Sequence, residues 1–149
     1  MPDGAGTVNR KQLQALAESR LKDVQALLAR KRWSAAYYLT GYVIECALKS
    51  SILRHLEATG IIFSDREYLR KLADCWTHDL VKLANLAGLD AEFGAARGAN
   101  ASLDRYWVVA KDWKETSRYE EKTETEARML FEAVTNNPDG VFLWLRTRW

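Results

Sequence analysis

Two polar pairs in this sequence combine side chains that can bind an anion or move a proton. Glu45 and Lys49 are four residues apart in an apolar segment, and this spacing places an acid and a base side by side on one helix face. His78 and Asp79 stand at the predicted start of another helix, where unpaired backbone amides suit an anion and an acidic side chain suits the helix dipole. Each pair predicts either the border of a polar cleft or a purely structural role, as an internal ion pair and as a helix cap. The structural role is the favoured interpretation of both.

Phenol and guanidinium groups extend this candidate site. Tyr42 precedes Glu45 by about one helical turn, and Arg118 is followed directly by Tyr119. An imidazole can transfer a proton and a guanidinium can stabilise phosphate charge, so His78 as acid or base with Arg118 as phosphate clamp is a catalytic alternative. The candidate ligand-binding residues are Tyr42, Glu45, Lys49, His78, Asp79, Arg118 and Tyr119.

Metal and cofactor chemistry find no support in the spacing of the residues. Cys75 and His78 are three residues apart, but nothing supplies further ligands at the spacing of a metal site. The sequence has no phosphate-binding loop and no dinucleotide fingerprint, and Gly94 with Gly98 matches neither pattern. We therefore predict no metal and no cofactor.

The elements that must position these residues are all helical. No sustained two-residue alternation predicts a strand, whereas apolar residues at three- and four-residue spacing run through the chain. A first helix is predicted from Asn9 to Lys31, and a second from the cap Ser34 to Gly60. The second is apolar on most sides, so it should be the central helix. Gly41 within it predicts a close helix crossing.

Shorter helices fill the remainder of a single domain spanning residues 1–149. The stretch from Asp90 to Asn100 contains Gly94 and Gly98 and is predicted to be a loop. We expect an up-and-down bundle of four to five main helices with short extra helices, preceded by disorder over residues 1–8. The shorter helices are predicted from Ser64 towards Cys75, from Thr77 to Gly88, from Ser102 to Lys114, from Thr123 through Val134, and after Asn137-Pro138.

Composition limits the classes of partner. The net charge of +2 is too small to predict nucleic-acid binding by bulk charge, and the basic run from Arg30 to Arg32 is interpreted as a solvated helix end. The two cysteines make no disulfide framework, and we see neither a signal peptide nor an apolar stretch long enough for a membrane. We expect a cytoplasmic protein with no membrane and no DNA partner. Six tryptophans favour a buried interface as well as a core, which predicts a homodimer.

The central helix carries a resemblance to a known family. Residues 35–50 read AAYYLTGYVIECALKS, and this "YLxGYxxExALK" pattern resembles the HEPN family, which is named for nucleotide binding in higher eukaryotes and prokaryotes. Three weaker pieces follow in the family's order: residues 77–80, the "WxxxxxWxxxxRY" block from Trp107 to Tyr119, and an apolar last helix ending at Trp149. The resemblance covers nearly the whole chain.

The resemblance implies a helical bundle, a homodimer and one of several activities. Many members are metal-independent ribonucleases of toxin–antitoxin or defence systems, others bind small nucleotidyltransferases, and some are non-catalytic. The ribonuclease members carry an arginine followed after four to six residues by a histidine. Neither His55 nor His78 has an arginine at that spacing, since Arg70 lies one residue too far, and no histidine follows Arg118. We therefore predict a non-catalytic binding or regulatory module for a nucleotide or a protein partner. The alternative is a ribonuclease with a site rebuilt from His78 and Arg118.

Overall fold

The computed structural model describes residues 8–149, apart from the side chain of Ile62, and it is helical throughout. The predicted disorder at the amino terminus falls mostly on residues 1–7, which lie outside the described residues. No strand occurs between residues 8 and 149, so the all-α class is confirmed. The helices are α1 (Arg10–Ala29), α2 (Trp33–Thr59), α3 (Arg66–Leu72), α4 (Leu80–Leu86), α5 (Asp90–Ala99), α6 (Ala101–Lys111), α7 (Glu124–Thr135) and α8 (Val141–Arg146), with 3-10 turns at Ile61–Phe63, Ala73–Trp76 and Glu115–Tyr119.

The first two helices form an antiparallel pair. Asn9 caps α1: its side chain accepts a hydrogen bond from the Gln12 amide at 2.9 Å, and the Gln12 side chain accepts one from the Asn9 amide. One face of α1 buries Ala17, Val24 and Leu28. The short connection after α1 turns the chain back, so that α2 packs along α1 as predicted.

Helix α2 is the central element of the bundle. It contacts α1, α4, α7 and α8 as well as the 3-10 turn at Glu115–Tyr119, which explains why its sequence is apolar on most sides. The close approach predicted at Gly41 is real, but its partner is an indole rather than another helix. A Cβ atom built at position 41 would lie 2.2 Å from ring atoms of Trp113, which is itself 1% exposed.

Ser34 is not the cap of α2, contrary to the prediction. The helix begins at Trp33, and the preceding residue, Arg32, makes no side-chain capping bond. The Ser34 hydroxyl instead accepts a hydrogen bond from the backbone amide of Lys122 at 2.9 Å. This bond connects the start of α2 to a segment 88 residues later in the chain, a partner that local sequence does not reveal.

Two further caps lie beyond their predicted positions. Asp65, rather than Ser64, caps α3, and Asp79, rather than Thr77, caps α4 by accepting from two backbone amides of its first turn. In both places a carboxylate stands close to a hydroxyl and takes the cap, consistent with the stronger bond of a charged acceptor. The structural role predicted for Asp79 is therefore confirmed.

The loop predicted from Asp90 to Asn100 is wrong, because Asp90–Ala99 forms α5. Its Phe93 is 3% exposed and packs between two indoles, with ring centroids 4.9 Å from Trp107 and 4.5 Å from Trp144. Burial of this aromatic ring outweighs the low helix propensity of the two glycines. Asn100, the predicted end of the loop, is instead the cap of α6. The predicted start of the last helix at Asn137-Pro138 is also wrong: residues 137–139 form a turn, and α8 begins at Val141.

Candidate functional site

One face of α2 carries a row of polar-tipped side chains. Tyr38, Tyr42, Glu45 and Lys49 follow one another at intervals of four, three and four residues, so they align on this face over about 16 Å. The face is flanked by two grooves, one at each end of the row. The candidate functional side chains of α2 lie along this face.

A cluster of three ionisable groups lies at the centre of this face. Glu45 is 2% exposed, and its Oε1 atom accepts a hydrogen bond from Lys49 Nζ at 2.8 Å and contacts His78 Nδ1 at 2.8 Å. The side chain of His78 is 46% exposed, so the imidazole joins a buried carboxylate to solvent. We call Glu45, Lys49 and His78 the Glu45 cluster. The Glu45–Lys49 pair follows from its spacing, whereas His78 is 33 residues away from Glu45 and no local signal predicts its arrival.

The second oxygen of Glu45 has no such partners. Glu45 Oε2 is buried and accepts no hydrogen bond from any residue between 8 and 149. Both partners of the carboxylate lie at Oε1, which leaves Oε2 as a buried acceptor without a hydrogen bond.

Two neutral groups lie beside the cluster. Burial raises the pKa of Tyr42 to about 12, and the nearby Cys46 and Glu45 act in the same direction. Burial likewise raises the pKa of the Cys46 thiol to about 11, with an opposing effect from Tyr42. Both groups are therefore protonated at neutral pH, and they add no charge to this face.

The first groove is apolar. It has a volume of about 420 Å³ and runs between α1, α2 and the turn at Ala73–Trp76, with Glu45 and Lys49 in its wall. Its other lining residues are mostly aliphatic or aromatic, including Leu13, Leu16, Tyr42, Ile52, Leu53 and Trp76. Trp76 is 84% exposed and stands at the rim. We call this space the apolar groove.

The second groove is basic and lies at the start of α2. It has a volume of about 540 Å³, and four cations face one carboxylate, Glu121, in its lining. The cations are Lys31, Arg32, Arg118 and Lys122, and the aromatic residues are Trp33 and Tyr38. We call it the basic groove.

The four cations differ in how they are engaged. Arg118 pairs with Glu115 at 2.8 Å and lies 4.8 Å from the ring centre of Tyr119, while Lys122 pairs with Glu120 at 2.9 Å. Lys31 and Arg32 are exposed and make no ion pair with any residue from 8 to 149. Their charge is available to an anion in the groove. The basic run from Arg30 to Arg32, interpreted from the sequence as a solvated helix end, therefore contributes two residues to this groove.

The predicted site residues thus fall into separate groups. The structure brings Tyr42, Glu45, Lys49 and His78 to one region of α2, and it places Arg118 beside Tyr119 in the basic groove, whose lining does not include His78. On α2, Glu45 contacts His78 and Tyr38 lies in the basic groove with Arg118. Glu45 and Tyr38 are two helical turns apart, which separates the two groups by about 10 Å along the helix. Asp79 caps α4.

Residues 8–149 hold no cluster of metal ligands and no disulfide. No three histidine, cysteine, aspartate or glutamate side chains in that range converge to hold a metal ion, and Cys46 and Cys75 are both free thiols. None of the helices in that range is long and apolar enough to cross a membrane. Comparisons with protein-family models, with curated proteins and with solved structures find no match to this chain.

Proposed function

We propose that this chain is a HEPN-type helical module that binds a nucleotide in its basic groove without cleaving it. The observation that carries the proposal is the composition of that groove, four cations against one carboxylate beside two aromatic rings. Guanidinium and ammonium groups bind phosphate oxygens through charge-assisted hydrogen bonds, and aromatic rings can stack on bases. The resemblance of α2 to the HEPN family supports the same class of ligand.

The position of the two histidines supports binding rather than catalysis. His78 belongs to the Glu45 cluster, and His55 packs against Tyr68 with its ring centroid 5.6 Å away. Neither histidine lines the basic groove, so no imidazole is placed to transfer a proton to a phosphodiester bound there.

A charge-reversal experiment tests nucleotide binding. We expect a fluorescent ADP analogue to bind the parent protein and the double variant Arg32→Glu, Arg118→Glu to bind it at least tenfold more weakly, because each charged contact to phosphate contributes about 1.5–3 kcal/mol. Fluorescence anisotropy at two salt concentrations measures this, and binding should weaken as salt rises. Arg105→Glu reverses an exposed cation of α6 outside the groove and serves as the control. Absence of binding in the parent, or equal loss in the control, would contradict the proposal.

We further propose that the module is a homodimer, as the family resemblance implies. In addition to its aromatic core, the chain exposes apolar side chains on two adjacent helices, Val108 on α6 and Met129 on α7. Light scattering at micromolar concentration should report twice the chain mass of 17.0 kDa, which is about 34 kDa. A single peak at the chain mass would show that this expectation is wrong. The family resemblance implies a partner that is either a second copy of the chain or a protein such as a small nucleotidyltransferase.

A metal-independent ribonuclease is the second candidate, and one observation favours it. Glu45 holds the Nδ1 side of His78 at 2.8 Å while nearly half of the imidazole side chain faces solvent, which is how a carboxylate orients a general base. Arg118 lines the basic groove and His78 does not, so the cation and the base do not share one cleft. We therefore expect labelled transfer RNA to stay intact with the purified protein. Cleavage that disappears in His78→Ala and persists in His55→Ala would establish the enzyme instead.

A further inference from the structure

The apolar groove has the properties of a small-molecule site and is distinct from the basic groove. Its volume of about 420 Å³ lies within the range of ligand pockets, and its wall is mainly apolar with a few polar groups, the usual composition of such pockets. Leu13 and Leu16 of α1 face Ile52 and Leu53 of α2 across it. Trp76 offers an exposed flat ring at the rim.

The second observation is the unpartnered oxygen of Glu45. Glu45 lines the apolar groove, and its side chain is almost fully buried, with 2% exposure. Its Oε2 atom receives no hydrogen bond from any donor in residues 8–149. A buried carboxylate oxygen without a donor is unfavourable, and a ligand that supplies one donor removes that penalty. Only one donor is needed, because Lys49 and His78 already serve Oε1.

We propose that the apolar groove binds a neutral, ring-sized apolar molecule that donates a single hydrogen bond to Glu45 Oε2. The ligand is neutral because the charges of Glu45 and Lys49 cancel within the pair. A further cation would approach Lys49 and lose its own hydration, and an anion would meet the carboxylate. The ligand is apolar and flat because the groove walls are mainly apolar and the rim carries Trp76. A phenol or an N–H heterocycle has this chemistry. The site does not depend on the nucleotide proposed for the basic groove.

A matched pair of probes tests the hydrogen bond directly. 2-Naphthol and 2-methoxynaphthalene have the same ring system, but only the naphthol carries a donor. Titration calorimetry of the full chain should show the naphthol binding at least tenfold more tightly, because the methoxy compound leaves Glu45 Oε2 without a donor. In Glu45→Gln, whose amide can place a donor at that position, the preference should shrink to less than threefold or reverse.

Two further variants separate the groove from the surface. Trp76→Ala should weaken both probes several-fold, whereas Phe63→Ala, which removes an aromatic ring that is 96% exposed and lies outside the groove, should change neither. Because both residues are exposed, neither variant should disturb the fold.

Three results would overturn the proposal. They are equal affinity for the two probes, failure of the naphthol to bind, and equal losses in the Trp76 and Phe63 variants. Conversion of a dimer to a 17.0 kDa monomer by Trp76→Ala, without naphthol binding to the parent, would show that a second copy occupies the groove.

Discussion

Replacing Lys49 with methionine is expected to lower the free energy of unfolding by about 3–5 kcal/mol, the range for breaking a buried ion pair from one side. The variant keeps Glu45, which is 2% exposed, and leaves the His78 imidazole as its remaining polar side-chain partner among residues 8–149. Desolvation of the carboxylate then has no ammonium to offset it. Denaturation in urea, followed by circular dichroism, measures the loss.

The same change on the surface provides the control. Lys71 pairs with Glu67 at the same four-residue spacing, but both side chains are more than half exposed. Lys71→Met should therefore change the free energy of unfolding by less than about 0.5 kcal/mol. Glu45→Ala alone should also destabilise the protein sharply, while the double variant Glu45→Met, Lys49→Met should recover most of the loss, because an apolar pair needs no compensation. If Lys49→Met unfolds like the parent, the carboxylate is effectively hydrated and the buried-pair interpretation is wrong.

Gly41→Ala should be nearly as severe, with an expected loss of about 3 kcal/mol at the upper end of the overpacking range. A methyl group at this position would meet the Trp113 ring at 2.2 Å, and the ring is itself buried at 1% exposure. Gly94→Ala in α5 is the matched control, since a Cβ atom there meets nothing within 4 Å. It should stabilise the protein by up to about 1 kcal/mol through helix propensity. Thermal melting of the Gly41→Ala and Gly94→Ala variants measures the difference in stability. Similar melting temperatures for the two variants would contradict the packing argument.

The main outline of the fold follows from the sequence because it depends on local periodicity. A helix that is apolar on most sides identifies α2 as the central helix, and Asn9 and Thr123 mark the starts of α1 and α7 through patterns confined to four residues. The helix α5 could not be predicted in the same way. Its stability comes from Phe93 packing against two indoles, which is a tertiary effect that outweighs the local signal of the glycines.

The candidate site divides along the same line. Spacing alone predicts the pair of Glu45 and Lys49, since both lie on one helix. The contact of His78 with that pair, and the meeting of Arg32 with Arg118 in one groove, join segments that are distant in sequence. Such contacts depend on how the helices pack against one another, and a pattern within a short stretch of sequence cannot predict them.

The bond between Ser34 and Lys122 has a consequence for the order in which the two grooves appear as the chain is synthesised. Synthesis proceeds from the amino terminus, so the residues of the two grooves become available in sequence order, although α2 completes its packing only when α7 and α8 are present. The Glu45 cluster needs the chain only as far as His78, whereas the basic groove needs Lys122 to close a loop of 88 residues. Closure of a longer loop carries a larger entropic cost and is slower. A nascent chain ending near residue 110 therefore already contains every residue of the apolar groove but lacks half of the cations that define the basic one.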